Sequence, residues 1–106
     1  MFEQMGNLMD MVKKLQQNVN QVQEELKDER IVMTSGDVIT VTLNGQQDVV
    51  AIEINPKYLT AENAVLLQDL LVATLNNAVT KSREVNQAAL GKLSSDLNIP
   101  KIPGLF

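Results

Sequence analysis

One apolar stripe runs from Ala61 to about Leu97, and it is longer than this chain can bury alone. Leu66, Leu67, Leu70, Leu71, Leu75, Ala78, Val79, Val85, Ala89, Leu93 and Leu97 fall at helical spacing. A single helix over this span is roughly 55 Å long at 1.5 Å per residue. A folded domain of this size has a radius of gyration of only about 13 Å. The stripe therefore overshoots any globule made by one copy, and its distal leucines need cover from a second. A C2 homodimer is the expectation. Gly91 marks the point where such a helix could bend or fray. Thr60 is placed to cap its start, with Glu62 in the first turn favoured by the helix dipole.

A second helix is written into residues 3–28. Met5, Leu8, Val12, Leu15, Val19, Val22 and Leu26 alternate three- and four-residue steps, the a/d pattern of a helix seam. About three heptads are sustained, enough for packing against another helix. Met1, Met9, Met11 and Met33 add adaptable apolar surface, and Met5 belongs to the seam.

Between the helices the period changes to two. Arg30–Thr34 is a short β-rich run, and Ser35-Gly36-Asp37 is a turn cluster. In Val38–Leu43 the residues Ile39, Val41 and Leu43 share one face. Asn44-Gly45 is the strongest hairpin signal, since both residues accept positive φ. Asp48–Ile54 returns with Val50, Ile52 and Ile54 on one side, and Asn55-Pro56 ends the sheet. Lys57-Tyr58-Leu59 reads as a turn. The expected fold class is α+β: a long N-terminal helix, a three-stranded antiparallel meander and a long C-terminal helix. Its dimer would share a sheet and project helical arms. One domain covers 1–106: helix 3–28, meander 30–54, helix 61–97 and a tail 98–106. Pro100 and Pro103 keep the tail from being helical, and Leu105 and Phe106 could dock.

Composition narrows the chemistry. Of 106 residues none is Cys or His, so disulfides, Cys- or His-based zinc sites and His-dependent triads are excluded. No glycine-rich loop leads from a strand into a helix to cradle phosphate. Glu24, Glu25, Asp28 and Glu29, interleaved with Lys27 and Arg30, read as a solvated helix face. Aromatics are 3%, so the core is aliphatic. No signal peptide or membrane span is visible. The chain reads as a binding protein of the cytoplasm. It is expected not to be an enzyme and to need no cofactor, no metal and no small-molecule substrate.

The cations are placed with more order than the net charge of −4 suggests. Lys13 and Lys14 lie off the apolar stripe of the first helix. Lys81, Arg83 and Lys92 lie in the distal half of the second, and Lys101 is in the tail. Asp28, Glu29, Asp37, Asp48 and Glu53 surround the sheet. In an antiparallel helix pair the cations would gather toward one end, letting an acidic protein meet phosphate with its arms.

The stretch Val41-Thr-Leu-Asn-Gly-Gln-Gln-Asp-Val-Val-Ala-Ile-Glu-Ile-Asn-Pro-Lys-Tyr-Leu59 resembles the central signature of the YbaB/EbfC family of bacterial nucleoid-associated proteins. Leu67-Gln-Asp-Leu-Leu-Val-Ala-Thr-Leu-Asn-Asn-Ala-Val-Thr-Lys81 is similar to its long helix. Gln23-Glu-Glu-Leu26 and the Pro-Gly-aromatic tail also fit. The resemblance implies a tweezer-shaped dimer that binds DNA with little base readout and associates with the nucleoid. Its DNA-binding residues carry over as Lys13, Lys14, Lys81, Arg83 and Lys92. Three features depart from the pattern: Ser35-Gly36-Asp37 replaces a glycine-rich approach, Asn55 replaces Asp before Pro56, and the arm cations are few and stand beside Asp10, Asp69, Glu84 and Asp96. The alternative is a protein-binding module, chaperone-like, with no DNA ligand.

Overall fold

The computed structural model describes the backbone of residues 2–96 and the side chains of residues 7–93. Helix α1 spans Phe2–Asp28, strands β1, β2 and β3 span Ile31–Ser35, Ile39–Leu43 and Val49–Ile54, and helix α2 spans Ala64–Asp96. Two 3-10 turns, Pro56–Tyr58 and Ala61–Asn63, bridge β3 to α2. The expected α+β order of helix, antiparallel meander and helix is present, with β2 in the middle of the sheet. Leu97 and the tail 98–106 lie outside the described residues, as does the side chain of Met5.

The period-two pattern explains which face is buried. Ile39, Val41 and Leu43 of β2 are almost fully buried and pack with Ala78 of α2. Ile31 and Met33 of β1, then Ile54 and Ile52 of β3, stand beside them in the same cross-strand rows. Threonines 34, 40 and 42 point to the other face. This is the one-sided burial that antiparallel sheets allow. Thr74 faces the sheet from α2, where its hydroxyl donates to the Leu70 carbonyl and meets the Ser35 hydroxyl.

The hairpin departs from the expected geometry. Gly45 does not take positive φ; Gln47 does, at 67°. The Asn44 carbonyl accepts from Gln47 N (3.3 Å), and Asn44 N donates to the Asp48 carbonyl (3.0 Å). A three-residue loop ending in a left-handed residue follows, in place of a two-residue turn. The register slips at Thr42/Leu43, so that Leu43 pairs with Val49. Val50 thereby leaves the row assigned to it from alternation. At the other turn Gly36 takes φ 54°, a conformation that glycine adopts without penalty.

α2 begins three residues later than its stripe suggests. Thr60 makes no side-chain cap, and Ala61–Asn63 forms a 3-10 turn instead. The helix then runs unbroken through Gly91 to Asp96. A Cβ at Gly91 would meet nothing within 4 Å. Gly91→Ala is expected to stabilise the protein by about 0.5–1 kcal/mol through lower backbone entropy in the unfolded chain, measurable by urea unfolding.

The overhang lies on the other helix from the one expected. The distal half of α2 is covered, with Leu93 buried against the C-terminal part of α1. It is the first half of α1 that projects. Leu26 is only 3% exposed, whereas Val12 and Leu8 are 59% and 60% exposed. The molecule accordingly measures 73 × 22 × 17 Å, with a radius of gyration of 19.8 Å against about 13 Å for a compact chain.

Candidate functional site

The direction of the α1 arm is set at one junction, where the end of α1, the β2–β3 turn and α2 meet. Gly45 N donates to the Leu26 carbonyl at 2.7 Å, satisfying one of the open carbonyls at the helix end. Gln46 Nε2 donates to the Gln23 carbonyl at 2.7 Å. From α2, Ser82 Oγ donates to the Asn44 carbonyl (2.6 Å) and Asn86 Nδ2 to the Gly45 carbonyl (2.9 Å). Asn44 is buried, and its Oδ1 accepts from Gln46 N and Asp48 N at 2.8 and 3.1 Å.

Every buried polar group at this junction thus has a partner, so neither arm can swing without breaking several bonds. Ser82 and Asn86 had one signal in sequence: two polar residues four apart on an otherwise apolar stripe. Ser82→Ala would remove the shorter of the two hydrogen bonds to the Asn44 carbonyl, leaving the one from Gln47 N. A loss of about 0.5–1.5 kcal/mol is expected in chemical denaturation.

The opposite end of the sheet is fastened separately. Tyr58 Oη donates to both Asp37 carboxylate oxygens, at 2.9 and 3.2 Å. That hydrogen bond, with some desolvation and the adjacent charge, raises the Tyr58 pKa above its ordinary value. The phenol bond is present below pH of about 10 and is lost as pH rises through the raised folded value. Asn55 caps the first 3-10 turn by accepting from Lys57 N, and its amide donates to the Asp37 carbonyl. An aspartate at 55 could cap but could not donate, so Asn55 suits this turn.

The five candidate cations stand on the two helices, and all are exposed. They do not converge on one point. Lys13 and Lys14 lie on the projecting part of α1. Lys92 lies beside Val22 and Glu25, at the level where α1 and α2 pack. Lys81 and Arg83 flank Ser82, at the level of the junction. At 1.5 Å per residue these levels are roughly 15 Å apart along the helices. The expected gathering at one end is therefore replaced by a ladder along the long axis. Asp37, Asp48 and Glu53 remain with the sheet and its turns, and Asp10, Asp69 and Glu84 stand on the helices. Among the described residues no group of three or more acidic side chains is placed to hold a metal ion. Nor is any described helix long and apolar enough to cross a membrane.

Residues 1–97 match the sequence profile of the YbaB/EbfC DNA-binding family. The chain belongs to that family. Among similar YbaB/EbfC relatives, a nucleoid-associated protein of Pelotomaculum thermopropionicum is 37% identical over 103 residues, covering 96% of this chain and 95% of its own. One from Syntrophobacter fumaroxidans is 38% identical over 103 residues, covering 94% of both. The crystal structure of an uncharacterized protein from Helicobacter pylori shares the fold, with a TM-score of 0.73 at 23% identity, over 88% of this chain and 96% of that one. The YbaB/EbfC family is a DNA-binding family, and the described α+β architecture has a counterpart in a solved structure.

Proposed function

We propose that this chain is a homodimeric DNA-binding protein of the bacterial nucleoid, located in the cytoplasm, that organises DNA or tunes transcription with little base selectivity. Lys13, Lys14, Lys81, Arg83 and Lys92 make the phosphate contacts. The observation that carries this reading is their placement. All five are exposed and distributed along a 73 Å molecule, while the sheet and its turns hold a separate acidic group. A ladder of cations suits a polyanion whose charges repeat along an axis, and it selects no base. The single described aromatic ring, Tyr58, is tied to Asp37, which leaves base stacking with little to use.

The dimer reading is supported by β3. α2 crosses β1 and β2, leaving β3 at the edge of the sheet. Val49, Val50 and Ile52 on that strand are 44–50% exposed, and Leu66 and Val72 near the start of α2 are also open. An unpaired apolar edge invites continuation by a second copy.

Two measurements test the proposal. Sedimentation at micromolar concentration is expected to give twice the 11.7 kDa chain mass, and a clean monomer would refute the dimer. A gel-shift titration is expected to show binding at low salt that weakens steeply as salt rises. Absence of any shift at tens of micromolar protein would refute the DNA assignment. A second reading, a chaperone-like protein-binding module, is favoured by the exposed apolar row at the start of α1. Nuclease-resistant capture of a partner protein, together with no gel shift, would support it.

A further inference from the structure

Between its lysine pair and its acidic end, α1 presents a face of amides. No residue from 15 to 23 is charged, and six of these nine are Asn or Gln. Charged residues make up 21% of the chain, and the solvent face of a helix is where they ordinarily collect. The packing of α1 fixes which way the amides look. Val22 meets Ala89 and Leu93 of α2, and Leu26 is buried, so the seam of α1 is turned inward at this level. At 3.6 residues per turn, Lys13, Lys14, Gln17, Asn20 and Gln21 share an arc of about 120° centred opposite that seam. All five are exposed. The nearest carboxylates on the arc, Asp10 and Glu24, lie before and after this stretch.

Resting on the DNA reading above, we propose that Gln17, Asn20 and Gln21 hydrogen-bond DNA phosphates and fill the gap between the rung at Lys13 and Lys14 and the rung at Lys92. Each terminal amide carries two N–H donors, and side chains of this kind commonly bond phosphate oxygens. The placement suits the task. From Lys13 to Gln21 the arc runs about 12 Å along the helix. Along one DNA strand a phosphate recurs every ~3.4 Å of duplex axis. A DNA backbone laid on Lys13 and Lys14 therefore passes more than one phosphate before it reaches the level of Lys92. A carboxylate in that interval would repel the phosphates, and this chain, with a net charge of −4, places none there. Amides hold phosphate without neutralising it, so they release no counterion. Their contribution to affinity consequently depends little on salt, unlike that of the lysines. The choice of residue has a cost, since Asn20 is a weaker helix former than Lys, Glu or Ala.

A salt titration separates these contacts from the cationic ones. In the full-length chain, Q17A/N20A/Q21A is expected to bind duplex DNA at least about 10-fold more weakly than the unsubstituted protein at every salt concentration, with the slope of log affinity against log salt unchanged. The loss should be the same on DNA of unrelated sequence. Equal affinity in the variant, where the unsubstituted protein shifts DNA, would overturn the proposal and leave the DNA reading standing. No shift by the unsubstituted protein would overturn both. A flatter slope in the variant would also overturn it, because the lysine contacts would then have changed. A loss confined to particular sequences would overturn it in favour of contacts to base edges. Alanine is a better helix former than Gln or Asn, so the arm should keep its helix. Should the triple variant unfold at lower urea, Asn20→Ala alone repeats the test, with an expected loss of about 3-fold and the same unchanged slope.

Discussion

Gly45→Ala is expected to lower stability by about 2 kcal/mol, although glycine here answers no need for positive φ. The reason is proximity. A Cβ on Gly45 would lie 2.8 Å from both the Leu26 carbonyl oxygen and Leu26 Cδ2, and 3.1 Å from Leu26 Cβ. Withdrawal is blocked because Gly45 N donates to that same carbonyl at 2.7 Å. Relief of the clash would stretch the bond that ends α1, and with it the Ser82 and Asn86 bonds to the same turn. At about 4–8 °C per kcal/mol for a domain near this size, thermal unfolding should fall by roughly 10 °C. An unfolding temperature within a degree of the unsubstituted protein would contradict the close approach. Gly45→Ala combined with Leu26→Ala should be less destabilising than the sum of the two, because both changes act on one contact.

Gly45 shows why the sequence was legible in part. Asn-Gly between two alternating runs predicts a hairpin, and a hairpin is there. The usual reason for Asn-Gly is a left-handed turn, whereas the glycine here makes room for a helix 19 residues earlier in the chain. Only tertiary structure contains that information. The same holds for Val50: strict alternation placed it in the buried row, and a bulge, which has no local signature, displaced it. Patterns that depend on one element alone came through where the elements meet: Val22 and Leu26 of the α1 seam, the Ile39, Val41 and Leu43 row, and Leu75, Ala78 and Leu93 of the α2 stripe. Length arithmetic correctly found that the molecule cannot be compact. It assigned the overhang to α2 because the start of α2 was read against no partner, and the depth to which α1 covers its distal half depends on the junction. The cations were identifiable as exposed helix residues, since each lies off an apolar stripe. Their spacing along the axis required knowing which turn of α1 faces which turn of α2.

That spacing leads to the largest functional effect expected. Replacing Lys13, Lys14, Lys81, Arg83 and Lys92 together with Ala should lower DNA affinity at least about 100-fold at low salt, and should do so equally for unrelated DNA sequences. The change removes five positive charges from a chain whose net charge is already −4. Each lost phosphate contact should also flatten the dependence of log affinity on log salt by about one unit. Folding should be nearly untouched, because all five side chains are exposed and surface substitutions of this kind change stability by about 0.5 kcal/mol or less. The ladder makes a finer demand. Substituting Lys13 and Lys14 alone, or Lys81 and Arg83 alone, should each remove part of the salt slope, since the two levels touch different phosphates. Cations converging on one phosphate would instead make either pair as damaging as the full set. Lys57 offers a control, because it belongs to the 3-10 turn after β3 and to neither helix, and its ammonium stands 5.6 Å over the Tyr58 ring. Lys57→Ala should leave the salt slope unchanged. An unchanged affinity in the five-fold variant would refute the arms as the DNA-binding surface, whatever binding the intact protein displays.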